Sequence, residues 1–176
     1  VSLRFAILTA LTEKSSTGIE LARRFDRSIG YFWPASHQQI YRELDKLEGD
    51  GLVSVATSDK PPARGNPKVF AVTAAGTDEL REWAGEPGEP RKARDPLMVR
   101  IRAAAALGDV DPRPGLERHL QLHLATLAEY EAIEAKQFSG DLDRAAQLQL
   151  LVLRSGIASQ RAWVEWCRQA LADLSG

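Results

Sequence analysis

Three short helical patterns, a pair of β-patterned segments around a polar turn, and an almost unbroken helical run beyond a Gly/Pro break predict a mainly α protein. That order is the order of a winged helix-turn-helix N-terminal domain, residues 1–85. A linker, residues 86–94, then leads to an α-helical C-terminal dimerisation domain, residues 95–176.

Leu3, Ala6, Ile7, Ala10 and Leu11 recur at helical spacing and predict a short amphipathic helix over about residues 3–12. Thr17 stands where an N-cap would open a second helix containing Ile19, Leu21, Ala22 and Phe25. Pro34 disfavours helical geometry at Trp33, so a break follows. Ser36 then caps a third helix, with Gln39 three residues on, as a capping box requires. Ile40, Leu44 and Leu47 form its apolar stripe, and Gly49-Asp50-Gly51 ends it. Residues 52–56 and 68–72 read as paired strands, and the polar, Pro- and Gly-rich residues between them as a long hairpin tip. Thr73 or Thr77 opens a fourth helix holding Leu80 and Trp83.

The run Gly85-Glu86-Pro87-Gly88-Glu89-Pro90 marks the domain boundary. Helices are expected beyond it over about residues 95–107, 113–138 and 141–173. Leu116, Leu120, Leu124 and Leu127 make a narrow seam like that of a coiled coil. In the last helix, Leu148, Leu150, Leu151, Val152, Leu153, Ile157, Trp163, Val164 and Trp166 go nearly all the way round. A three-helix unit has little interior to offer them, so burial against a second copy is the simplest solution.

The 176 residues are 44% hydrophobic and carry 23 basic and 24 acidic side chains, a formal charge of -1. A uniformly basic nucleic-acid coat is excluded, though a local basic patch is not. Residues 1–85 hold 11 basic and 11 acidic side chains, and residues 86–176 hold 12 and 13. The single cysteine, Cys167, excludes an internal disulfide and a cysteine-based zinc site. The longest purely apolar stretch, residues 103–107, is far short of the ~20 residues a membrane span needs, and no export signal is visible. A soluble cytoplasmic protein is expected. No phosphate loop, nucleophile elbow or metalloprotease helix is present, so neither an enzyme nor a cofactor is expected. Ser36 and His37 are adjacent on a helix, point about 100° apart, and cannot form a catalytic relay.

In a winged helix-turn-helix the third helix enters the major groove and the hairpin tip touches the backbone or the minor groove. With Ile40 facing the core, Gln38 and Arg42 point almost directly away, flanked by Gln39 and Lys46 on one side and His37 and Tyr41 on the other. Gln can read adenine and Arg guanine in bidentate fashion. Asp45 leans outward and repels phosphate, which concentrates contacts in the N-terminal half of the helix. The helix N-terminus at Ser36 adds backbone donors and a favourable dipole. Lys60, Arg64 and Lys68 surround Gly65-Asn66 in the hairpin tip, a set suited to backbone or minor-groove contact.

The run Tyr31-Phe32-Trp33-Pro34-Ala35-Ser36-His37-Gln38-Gln39-Ile40-Tyr41-Arg42-Glu43-Leu44, followed by Leu47-Glu48-Gly49-Asp50-Gly51-Leu52-Val53, resembles the PadR-type transcriptional regulators. Ser2-Leu3-Arg4-Phe5-Ala6-Ile7-Leu8, Val72-Thr73-Ala74-Ala75-Gly76 and Arg94-Asp95-Pro96-Leu97 fit the same pattern, so the likeness runs from about residue 2 to about residue 107. It implies a homodimer that binds an inverted-repeat operator in double-stranded DNA, usually as a repressor, and in several members is released by a small aromatic or phenolic effector. By position, Ser36, Gln38, Gln39, Tyr41 and Arg42 would belong to the recognition helix, and Lys60, Arg64, Gly65 and Lys68 to the wing. The long C-terminal region resembles the larger subfamily, with several helices there.

Each candidate also has a plainer reading. Tyr31, Phe32 and Trp33 are read as helix packing before ligand stacking. Trp163 and Trp166 are candidates for an effector pocket, but interface core is the simpler assignment, and Cys167 beside them reads as an inert buried thiol. His119 and His123 have a spacing that can hold a metal; with no nearby acidic or cysteine partner they read as a solvated or interface pair, and no metal is assigned. Arg91, Lys92 and Arg94 read as a solvated connector. The competing function is a helical ligand-binding or adaptor protein whose winged domain contacts protein, which the neutral first half favours.

Overall fold

The computed structural model describes residues 3–27, 33–56, 68–89 and 94–175. The chain divides into two compact units, Val1–Pro90 and Arg91–Gly176. The first contains α1 (Leu3–Glu13), β1 (Ser16–Thr17), α2 (Gly18–Arg27), α3 (His37–Gly49), β2 (Val53–Ala56), β3 (Val69–Val72) and α4 (Ala74–Gly85). Its core joins Ile7, Leu8 and Leu11 of α1 to Leu21 and Phe25 of α2, Ile40, Leu44 and Leu47 of α3, and Val53 and Phe70 of the sheet.

The strands form one antiparallel sheet in the order β1-β3-β2, with Val53 opposite Val72 and Ala56 opposite Val69. Strand β1 adds to the expected pair of strands: Ser16 and Thr17 lie opposite Phe70 and Val69 and close the far edge of β3. Thr17 then opens α2 through a capping box. Its hydroxyl accepts from the Glu20 N–H at 3.3 Å, while the Glu20 carboxylate accepts from the Thr17 N–H at 2.8 Å. That N–H, and then the Thr17 hydroxyl, hold the Glu20 carboxyl below its usual range. Arg24 closes α1 by donating to the Ala10 and Lys14 carbonyls at 2.6 and 3.2 Å while pairing with Glu13.

A Schellman arrangement ends α3: Leu52 N–H donates to Leu47 O at 2.9 Å and Gly51 N–H to Glu48 O at 3.1 Å. Gly51 takes the positive φ of 74° that this turn demands. The same turn seats α4. Thr73, its N-cap, accepts from Gly76 N–H at 3.1 Å, donates its hydroxyl to Gly51 O at 2.8 Å, and donates its N–H to Leu52 O at 3.0 Å. Arg4 of α1 reaches both Asp50 and Glu79, and Phe5 stacks on Trp83 with ring centroids 4.4 Å apart.

The second unit holds α5 (Pro96–Leu107), α6 (Arg113–Gln137) and α7 (Arg144–Asp173). The last helix starts at Arg144, beyond the expected position, because the Asp143 carboxylate caps it by accepting from Ala146 N–H at 2.8 Å. Helices α6 and α7 run antiparallel, clasped by Glu134–Arg154 at 2.7 Å and Glu131–Arg161 at 2.6 Å. Gly156 lets the Tyr130 ring lie on the α7 backbone; a Cβ there would sit 2.9 Å from the ring. Leu97, Leu116 and Cys167 form the local core, and burial pushes the Cys167 thiol above its ordinary range. One stripe of α7, Leu150, Ile157 and Val164, is buried, but Leu148, Leu151 and Val152 on the opposite side are 48%, 62% and 46% exposed. Among the described residues no helix is long and apolar enough to cross a membrane.

Candidate nucleic-acid interface

Helix α3 owes its orientation to three fully buried side chains, Ile40, Leu44 and Leu47, which fix the opposite edge outward. Its start is rigid: Ser36 accepts from Gln39 N–H at 3.3 Å, and the Gln39 side chain accepts from Ser36 N–H at 2.8 Å. Ser36, His37, Gln38, Gln39, Tyr41, Arg42 and Lys46 are all exposed, so the structure brings these candidates onto one accessible surface.

They are not equally available. Gln38 and Arg42 make no hydrogen bond or ion pair among the described residues, while Gln39 is committed to the cap and offers only its amide NH₂. His37 Nε2 lies 3.1 Å from Asp26 of α2, Lys46 lies 3.6 Å from Glu43, and Lys68, at the foot of β3, lies 3.5 Å from Glu48. Tyr41 is 43% exposed and rests one ring edge on Gly18, where a Cβ would come within 2.4 Å of its Cε1. Gly18 is thus a supporting residue of this surface. Nothing in the local sequence marks it, because its partner is 23 positions away. Trp33 is partly buried and packs against the core. Lys60, Arg64 and Gly65, and with them Tyr31, Phe32, Arg91 and Lys92, lie outside the described residues.

In the second unit Trp163 packs against the Leu97–Leu116–Cys167 core and meets Trp166 edge-on, with centroids 5.5 Å apart. Trp166 remains 38% exposed.

Residues 7–82 match the model of the transcriptional regulator PadR-like family, and residues 93–175 match that of the virulence activator alpha C-terminal region. The probable transcriptional regulator Rv1176c of Mycobacterium tuberculosis is 39% identical over an alignment covering 99% of this chain and 98% of the relative. The chain belongs to the PadR-like family of transcriptional regulators. Among solved structures, the Vibrio cholerae virulence activator AphA superposes with a TM-score of 0.80 at 33% identity, covering 99% of this chain and 98% of that one. The negative transcriptional regulator PadR of Bacillus subtilis is 26% identical across 98% of this chain and 97% of its own length. Its structure with operator DNA matches the fold with a TM-score of 0.80. The mainly α winged-helix architecture and the helical C-terminal region therefore agree with the sequence reading.

Proposed function

We propose that the chain is a homodimeric, DNA-binding repressor that reads an inverted-repeat operator with α3 in the major groove. Residues 1–85 bind DNA, residues 86–94 connect, and residues 95–176 assemble the dimer. The observation that carries this reading is the exposed Gln38/Arg42 edge, unpaired among the described residues, on a helix whose opposite stripe, Ile40, Leu44 and Leu47, is fully buried. Two side chains able to make bidentate base contacts project from its first turns. Lys68 and the wing residues Lys60, Arg64 and Gly65 serve the phosphates or the minor groove. In a dimer the two α3 helices must sit about 34 Å apart to meet successive major-groove faces. The names of the B. subtilis relative, a negative regulator solved with operator DNA and with p-coumaric acid, support repression and release by a small aromatic effector. Trp163 and Trp166 are the residues proposed to meet that effector. The protein acts by binding, not by catalysis.

The test is a titration of operator affinity against salt. A phosphate-contacting dimer of this size gives a log–log slope of roughly -4 to -8. A flat response would instead support a winged domain that docks on protein. Within the DNA reading, Arg42→Ala is expected to weaken binding by about 1–3 kcal/mol and to relax preference at a single base pair. Competition binding against a set of single-base operator variants checks it. An equal loss on every sequence would make Arg42 a phosphate contact.

A further inference from the structure

His119 and His123 stand one turn apart on α6, facing α7, with ring centroids 5.8 Å apart and both rings partly buried. His123 is held from two directions. Its ring stacks on Trp163 at 5.0 Å with an interplanar angle of 9°, and its Nδ1 lies 2.6 Å from the Gln160 side-chain oxygen. A carbonyl oxygen only accepts, so Nδ1 donates to it, and in the neutral ring this leaves a lone pair on Nε2, which makes no hydrogen bond among the described residues. An imidazole fixed by a carbonyl on one nitrogen and open on the other is the arrangement that a metal-ligating histidine requires. His119 makes no hydrogen bond among the described residues, and its ring, 6.3 Å from Trp163 and 5.8 Å from His123, lies within reach of the same ion.

We propose that His119 and His123 form a two-nitrogen binding site for a divalent transition-metal ion, with Gln160 as the residue that positions His123. The spacing alone did not support a metal. The added support is Gln160, which lies 37 residues from His123 and is brought to it only by the antiparallel packing of α6 and α7. Among the described residues no cluster of three or more His, Cys, Asp or Glu side chains is placed to hold a metal, so water fills the remaining positions. Two neutral imidazoles bring no negative charge. The site therefore selects ions that favour nitrogen, Cu(II) above Zn(II), over Mg(II), which demands oxygen ligands.

The stack on Trp163 provides the readout, since Cu(II) bound at His123 quenches an indole in contact with that ring. Full-length protein is titrated with Cu(II) by tryptophan fluorescence and with Zn(II) by calorimetry, with Mg(II) as control. The expected result is saturable quenching and one ion per chain, both abolished by His119→Ala and by His123→Ala and absent with Mg(II). Gln160→Leu, which keeps both ligands, is expected to weaken binding about 10-fold or more. Circular dichroism confirms that each variant stays helical; if His123→Ala loses helix, His119→Ala decides. Saturation unchanged in the histidine variants would overturn the site, as would no binding of either ion at about 100 µM. Unchanged affinity in Gln160→Leu would remove the positioning role.

Discussion

Gly76→Ala is expected to destabilise the N-terminal unit by about 3 kcal/mol, enough to remove much of the stability of a domain of this size. A Cβ at residue 76 would lie 2.2 Å from the Leu52 carbonyl oxygen and 3.0 Å from Cγ1 of Val72. The obstacle is backbone, so no rotamer change relieves it. Nor can Leu52 withdraw freely, because its carbonyl accepts from Thr73 N–H while the Thr73 hydroxyl holds the neighbouring Gly51 carbonyl. Helix α4 must lift from the α3–β2 turn, and the Phe5–Trp83 stack and the Arg4–Glu79 ion pair go with it. Gly49→Ala is the control: nothing lies within 4 Å of a Cβ there, and alanine is the better helix former. Chemical denaturation of both variants checks the contrast, and a Gly76→Ala midpoint equal to that of Gly49→Ala would refute the seat described for α4.

Leu151→Glu is expected to leave each chain folded but to dissociate the proposed dimer and lower operator affinity by about 10²–10⁴-fold, because two linked half-site contacts become one. Leu151 is 62% exposed, so a charge there costs the single chain little. With Leu148 and Val152 it forms an apolar strip on the side of α7 turned away from the buried Leu150–Ile157–Val164 stripe. If a second copy covers that strip, a carboxylate in its centre loses its water without gaining a partner. Sedimentation equilibrium together with operator binding reads both effects. A variant that stays dimeric would place the interface elsewhere on the chain.

Much of this was legible along the chain because it is written in local grammar. The Ser36–Gln39 capping box, a threonine cap at Thr73 or Thr77 and the Ile40–Leu44–Leu47 stripe depend on neighbours three to seven residues away; the structure has the box and the stripe and chooses Thr73. Strand β1 was not legible: two residues cannot show an alternation, and its strand character comes from β3, more than fifty positions on. Nor is the role of Gly76 legible locally, because the Leu52 carbonyl against it comes from another element. At the candidate interface, the outward direction of Gln38 and Arg42 follows from helical geometry alone. Which neighbours are already engaged does not follow, because Asp26 and Glu48 reach His37 and Lys68 from other elements.

On the proposed DNA-binding reading, those engagements would shape how the surface meets a duplex. His37, Lys46 and Lys68 each begin beside a carboxylate, from Asp26, Glu43 and Glu48, whereas Arg42 has none among the described residues. A phosphate that recruits one of the first three must take over from an anion that stays close by. On that reading, the exchange would succeed where the backbone arrives in register and fail where it arrives askew, because the stranded carboxylate would repel it. If α3 reads DNA as proposed, misaligned encounters on foreign sequence would be short-lived, and the acids beside the helix would form a proofreading fringe around Arg42, which makes no ion pair among the described residues.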